Sequence, residues 1–198
     1  MKSLDELATE YGTDKGPDGH GHTKFYREIF ESRRQQLKTV LEIGVYKGAS
    51  LRMWNVYFPY ANIYGIDNNA KVLKYTKHKI FIGDQEDVLF LQKVIDTVGK
   101  PFDLVIDDGG HTQEQHIVSF ETLWPAVAPG GYYVIEDLHT LWSPNHRSKR
   151  GHDSLLYLHS MTERVMRKFQ TETDVESMRI ANKIVFIEKE KPCDQTSL

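Results

Sequence analysis

The chain reads as an α/β protein built on a doubly wound sheet, and three observations carry that reading. From residue 38 onward, five short apolar runs alternate with helical stretches. Each run is five or six residues long and apolar on both faces, as a parallel strand covered on both sides must be. After the fifth run the pattern changes to two strand-like segments flanking Ala181-Asn182, close enough for a hairpin. Strand and helix in alternation imply right-handed crossovers and helices on both faces of the sheet.

In order, residues 1–37 form an amino-terminal helical and loop appendage: YGTDKGPDGHGH is a turn-rich loop and TKFYREIFESRR a helix with Phe25, Ile29 and Phe30 on one side. Four glycines and two histidines in the loop suggest a lid. The core then runs from 38 to 190. TVLEIG is the first strand, with a helix from Ala49 to Tyr57; NIYGID is the second, with a helix near Asn69 to Lys77. KIFIGD precedes a helix from Glu86 to Val98, and FDLVID one from Gln113 to Val127. Pro129, Gly130 and Gly131 break the chain before YYVIED, the fifth strand. A helix from Ser154 to Phe169 leads to VESMRI and KIVFIEK, and residues 191–198 are a polar tail.

At 198 residues the length suits one domain with a full core. A net charge of -3 gives no overall basic character to argue for nucleic acid, and the short stretch with Arg147, Lys149 and Arg150 reads as a solvated loop. The single Cys193 excludes an internal disulfide and a cysteine-only metal site, and fits a reducing cytoplasm. The amino end shows no secretory pattern and no apolar run is long enough to span a bilayer, so a cytoplasmic protein without membrane contact is expected.

The ends of the strands carry the chemistry. In LEIGVYKGAS, Gly44 permits a tight turn beside a ligand and Gly48 lets the helix start close to it. The spacing is E-x-G-x-x-x-G, with Tyr46 where a dinucleotide loop needs its second glycine, which argues against NAD or FAD. Ligands in such sheets lie beyond the carboxyl ends of the strands, which places Glu42 and Gly44 beside the bound molecule. Asp67 ends the second strand and reads as a ribose acceptor, with a helix cap as the alternative; Asp84 and Gln85 end the third and read as adenine contacts or caps. At the other end, VIDDGGH offers Asp108 and His111, and YYVIED offers Glu136 and Asp137. Two charges about 4 Å apart repel by roughly 4 kcal/mol at an effective dielectric near 20, so converging carboxylates need protons or a cation. An oxygen cluster points to a hard divalent ion, Mg²⁺ first. Each of these residues also has a plain structural reading as a turn or cap residue.

With LEIG-x3-G, the acid after strand two, GDQ after strand three and the terminal hairpin, the chain resembles the class I S-adenosylmethionine-dependent methyltransferases from about Thr39 to Lys189. The resemblance implies a Rossmann-like sheet of order 3-2-1-4-5-7-6 with strand 7 antiparallel. IDDGGH followed by IED is more specifically similar to the Mg²⁺-dependent sugar O-methyltransferases of macrolide tailoring, the macrocin and mycinamicin type. That likeness implies Asp108, Glu136 and Asp137 as metal ligands and His111 as the base. To the cofactor contacts already read at Glu42, Gly44, Gly48, Asp67, Asp84 and Gln85, this resemblance adds Thr13, Lys15, Ser50 and Asp107, with Asp107 either near the methionyl end of S-adenosylmethionine or supporting a ligand. TDK followed by His22 and Tyr26 also resembles that family, where this region closes over the site, and implies substrate contacts there. His139 and Trp142, in the polar loop after the fifth strand, are further substrate candidates. The chain departs from the family pattern DDGSH at Gly110.

The expected function is Mg²⁺-dependent O-methylation of a sugar hydroxyl on a glycosylated natural product, an antibiotic among them, or on a polysaccharide. Homo-oligomers are compatible with the appendage. A catechol or other vicinal diol is an alternative acceptor, and a nucleotide-binding scaffold is the non-enzymatic alternative. An NAD-dependent oxidoreductase is disfavoured by Tyr46.

Overall fold

Alternating side-chain direction along the strands organises the molecule. In a computed structural model that describes residues 1–168, 170 and 173–192, strand β1 (Thr39–Ile43) is buried along its whole length. Val40 faces one core and Leu41 and Ile43 the other. Leu104 and Ile106 of β4 (Phe102–Asp107), Val134 of β5 (Val127–Ile135), and Ile184 and Phe186 of β7 (Ile184–Lys189) join Val40. Val105, Tyr133, Ile135, Val185 and Ile187 join the opposite face. A period of two with both sets apolar is what a sheet sandwiched between helix layers requires.

The sheet has seven strands in the order β3-β2-β1-β4-β5-β7-β6, with β2 Asn62–Asp67, β3 Lys79–Ile82 and β6 Val175–Ala181. Neighbours among β1 to β5 are parallel, while β7 is antiparallel to both β5 and β6. This is the Rossmann-like methyltransferase order expected from the sequence. The order reverses between β1 and β4, so their carboxyl ends open a crevice where no crossover covers the strand tips. Backbone bonds knit these tips together: Gly44 N to Ile66 O at 2.9 Å, Asp108 N to Ile43 O at 3.0 Å, and Glu136 N to Asp107 O at 3.0 Å.

One layer holds α1 (Leu4–Tyr11), α2 (Thr23–Phe30) and α3 (Ala49–Tyr57); the other holds α4 (Val88–Val98), α5 (Gln113–Leu123) and α6 (Ser154–Met166). Several boundaries differ from the sequence reading. The helix expected near Asn69 to Lys77 is a 3₁₀ turn, Ala70–Lys74. The helix after β4 ends at Leu123, where Pro125 sits in a 3₁₀ turn. Pro129, Gly130 and Gly131 do not break the chain but lie within β5, beside a register shift between Phe102 and Leu104. Proline and glycine are tolerated in a strand where the ladder is already irregular. The expected helix end at Phe169, and Cys193 with the tail beyond it, fall outside the described residues. Among those described, no helix is long and apolar enough to cross a membrane.

The amino-terminal segment is built into the main core. Helix α1 was not foreseen; Ser3 and Glu6 close a capping box at its start, and Leu4, Leu7 and Ala8 are buried. From α2, Thr23, Tyr26 and Phe30 are buried, with Tyr26 packed on Trp54 at 4.9 Å and Phe186 at 5.0 Å between ring centroids. Phe25 and Ile29 are only partly buried. Leu7→Ala is therefore expected to lower the global unfolding free energy by about 2–5 kcal/mol, as core truncations do, in urea denaturation. An unchanged midpoint would mean that α1 docks and undocks independently of the domain.

Candidate active site

Strand tips and the loops that leave them line one cavity of ≈ 530 Å³. Gly44, Ala49 and Ser50 enter it from the β1–α3 connection, Asp67 from β2, Asp84 and Gln85 from beyond β3, and Thr13 and Asp14 from the amino-terminal loop. Asp108, Gly109, Gly110, His111 and Asp137 close its other end. The cofactor end and the reaction end of the sequence reading thus form a single space.

The cofactor half is shaped by backbone as much as by side chains. Gly44 has φ +91°, and a Cβ there would lie 1.9 Å from the Asp108 carbonyl oxygen, so only glycine fits. Asp67 accepts from the amides of Val45 at 3.0 Å, Tyr46 at 3.1 Å and Asn69 at 2.8 Å. It therefore fixes the glycine loop while its carboxylate lines the cavity. Gln85 is held by Asp107 at 3.0 Å and accepts from the Gly110 amide at 2.9 Å, linking the two halves.

Four residues expected to touch the cofactor do not line the cavity. Asp107 is fully buried and accepts from Gln85, Ser119 at 2.5 Å and Tyr133 at 3.2 Å. It alternates with Asp108, so the two carboxylates leave the strand tip on opposite sides. Glu42 is also fully buried, accepting from Ser50 at 2.7 Å and Trp54 at 3.4 Å. Gly48, at φ +66°, is the N-cap of α3 and backs onto Thr76. Lys15 is buried under the strand tips, with Nζ 2.5 Å from Asp108, 2.8 Å from Glu136 and 3.3 Å from Glu42.

That ammonium changes the expected metal set. Glu136 alternates with Asp137 and turns inward, where its Oε2 meets Lys15 and, at 3.0 Å, His22 Nδ1. Its Oε1 accepts from Tyr26 at 2.6 Å. His22 and Tyr26, expected at the substrate, are both fully buried and serve Glu136 instead. Burial opposes a charge on Glu136, but Lys15 and His22 outweigh it and hold its carboxyl below the usual range. For Asp108 burial prevails over Lys15 and pushes the pKa well up. Burial likewise raises Glu42, while the three carboxylates together keep Lys15 protonated. One ammonium faces three carboxylates, so the cluster carries an excess of acid.

Asp108, His111 and Asp137 each offer one ligand atom within 4.8 Å of the others. His111 Nε2 lies 3.9 Å from Asp108 Oδ1 and 3.8 Å from Asp137 Oδ2, too far for hydrogen bonds. Neither of those oxygens has a hydrogen-bond donor among the described residues. Two unsatisfied carboxylate oxygens facing one space are a donor set suited to a hard divalent cation. Glu136 is not part of that group, and its link to it is through Lys15.

His111 and Asp137 both adopt left-handed backbone, with φ +58° and +56°. Non-glycine residues take that conformation at a cost and only when the surroundings enforce it. Thr140, which the sequence did not single out, does so here: its Oγ accepts no role at the surface but donates to Asp137 O at 2.8 Å and reaches His111 O at 3.4 Å. Burial lowers the His111 pKa against the pull of Asp137, Asp107 and Glu136, which favours the neutral imidazole. Gly110 also has a local explanation. A Cβ there would lie 2.2 Å from Gln115 Oε1, whose side chain closes the capping box of α5 with Thr112. His139 and Trp142 stand outside the cavity, 49 % and 68 % exposed, on the rim of an apolar groove of ≈ 510 Å³.

Residues 41–138 match a family described as a methyltransferase domain. The mycinamicin VI 2''-O-methyltransferase of Micromonospora griseorubida is 43% identical over 149 residues, 71% of this chain and 37% of that protein. The 8-demethyl-8-(2-methoxy-alpha-L-rhamnosyl)-tetracenomycin-C 3'-O-methyltransferase of Streptomyces olivaceus is 40% identical over 151 residues, 72% of this chain and 38% of that protein. A solved structure of the MycE methyltransferase from the mycinamycin biosynthetic pathway, in complex with Mg and SAH, superposes with a TM-score of 0.86 and 34% identity, over 100% of this chain and 57% of that one. The chain thus spans well under half the length of these two curated relatives. Sheet order, strand-tip cavity and these likenesses agree: the chain belongs to the class I S-adenosylmethionine-dependent methyltransferases and resembles their macrocin- and mycinamicin-type sugar O-methyltransferases.

Proposed function

We propose that the chain transfers a methyl group from S-adenosylmethionine to a sugar hydroxyl of a glycosylated natural product, with Mg²⁺ at the reaction end, in the cytoplasm. The observation that carries this reading is the single cavity joining Gly44, Asp67 and Gln85 to Asp108, His111 and Asp137. The relatives' names give O-methylation of sugars on such products, and one solved relative is in complex with Mg, SAH and mycinamycin VI. The single cysteine of the sequence supports the cytoplasmic setting.

The cavity fits the methyl donor. Gly44 keeps the turn clear of side chain, Asp67 presents a carboxylate for the ribose hydroxyls, and Asp84 and Gln85 stand at the end suited to the adenine. Asp108 and Asp137 supply the free oxygens for the ion, and Glu136 stands behind them through Lys15. A divalent ion at such a site lowers the pKa of a hydroxyl, and the sulfonium supplies an electrophilic methyl group. His111, whose Nε2 faces the cavity acids, is the group that takes the hydroxyl proton, and burial favours its neutral form beforehand. No serine or cysteine nucleophile is required, because the methyl group passes directly to the oxygen.

Trp142 and His139 supply the acceptor contact. They border a groove lined by Leu138, Leu141, Leu155 and Ile180, directly after the Asp137 turn. An apolar groove there suits the hydrophobic body of a glycosylated product better than a small free diol.

EDTA is expected to abolish turnover and added Mg²⁺ to restore it, while Asp108→Asn lowers kcat/KM by about 100-fold or more; undiminished turnover in EDTA would refute the metal role. His111→Ala is expected to lower kcat by about 10²–10⁴-fold while calorimetric affinity for SAH changes less than about twofold. An unchanged rate would move the base role to another group. Trp142→Ala is expected to raise KM for a glycosylated macrolide severalfold with little change in kcat, and an unchanged KM would remove the groove from acceptor binding.

A further inference from the structure

Across the Asp137 carboxylate from the methyl-transfer cluster lies a second group of ligating atoms. His20, His22 and Asp137 each offer one atom within 4.8 Å of the others. Asp137 Oδ2 faces His111 at 3.8 Å, whereas Oδ1 faces His20 Nδ1 at 2.6 Å. The two groups therefore use opposite oxygens of one carboxylate. His22 is fully buried, with Nδ1 on Glu136 Oε2 at 3.0 Å and Nε2 without any hydrogen-bond partner. A ring nitrogen stranded in this way costs free energy unless something binds it. A carboxylate on one histidine nitrogen with the other left as a free lone pair is the arrangement that orients histidines toward metals.

We propose that His20, His22 and Asp137 form a binding site for an imidazole-preferring divalent transition ion such as Zn²⁺. Two imidazoles and one carboxylate suit borderline ions far better than Mg²⁺, which takes oxygen ligands. Binding takes the Nδ1 lone pair of a neutral His20 ring, whose one proton then sits on Nε2, so the ion replaces the His20–Asp137 hydrogen bond with no net proton release and no redox change. His20 and His22 belong to the loop after α1, and Asp137 to the tip of β5, so the ion staples the loop across the mouth of the cavity.

Co²⁺, which reports nitrogen-rich coordination through its visible absorption, is the probe. The untagged full chain is saturated with Mg²⁺ and titrated with Co²⁺, beside two variants, His20→Asn and Asp108→Asn. His20 is 30 % exposed, so its replacement leaves the core intact, whereas replacing His22 would disturb Glu136. The expected result is one Co²⁺ per chain with a visible absorption band, an affinity at least about tenfold weaker in His20→Asn, and little change in Asp108→Asn. Equal affinity and spectrum in His20→Asn overturn the proposal. So does a loss in Asp108→Asn as large as that in His20→Asn, which would place the ion in the cluster with His111.

Discussion

The Lys15 ammonium, buried among Glu42, Asp108 and Glu136, is the interaction on which the site depends. The three carboxylates come from the ends of β1, β4 and β5, which the sheet brings together whatever their charges. Removing one member of a buried charge cluster costs about 3–5 kcal/mol, because the remaining charges are left without a partner. Lys15 is also one of the contacts, with His20, His22 and Tyr26, through which the amino-terminal segment meets the strand tips. The same contact thus offsets acidic repulsion at the strand tips and fixes the loop that precedes α2.

Its position separates two kinds of acid that look alike in sequence. Glu42 and Glu136 face inward and serve lysine, serine, tryptophan, tyrosine and histidine partners. Asp108 and Asp137 keep one oxygen each toward the cavity. Strand pleating sends Glu136 and Asp137 to opposite sides, and left-handed backbone at His111 and Asp137 sets these two facing each other, whereas Asp108, on the same face as Glu42 and Glu136, gives one oxygen to Lys15 and keeps the other toward the cavity. Thr140 bonds to both carbonyls, so the strained pair is held by one side chain from the following 3₁₀ turn.

The fold was legible because its signals are local. Apolar runs of strand length, the glycine turn at Gly44 and the hairpin around Asn182 each act within a few residues. Misread boundaries occur where tertiary packing overrode a local cue, as at Pro129, Gly130 and Gly131, which a neighbouring strand absorbs into β5. Helix α1 escaped notice because its eight residues bury only Leu4, Leu7 and Ala8. Its identity as core depends on α3 lying against it.

What the sequence determined by itself was the inventory: the parallel sheet, the glycine loop, Asp67, Asp84 and Gln85 at successive strand ends, and a set of Asp108, His111, Glu136 and Asp137 after the fourth and fifth strands, in which it did not tell Glu136 from the two aspartates. Those follow from short-range rules of propensity, turn geometry and strand period. The tertiary structure alone decided how charges were partnered. Lys15, His22 and Tyr26 lie 121, 114 and 110 residues from Glu136 in sequence, and Lys15 lies 93 residues from Asp108. Whether a carboxylate meets an ammonium or an open cavity depends on a few ångströms of side-chain direction, and no local pattern encodes that over such separations.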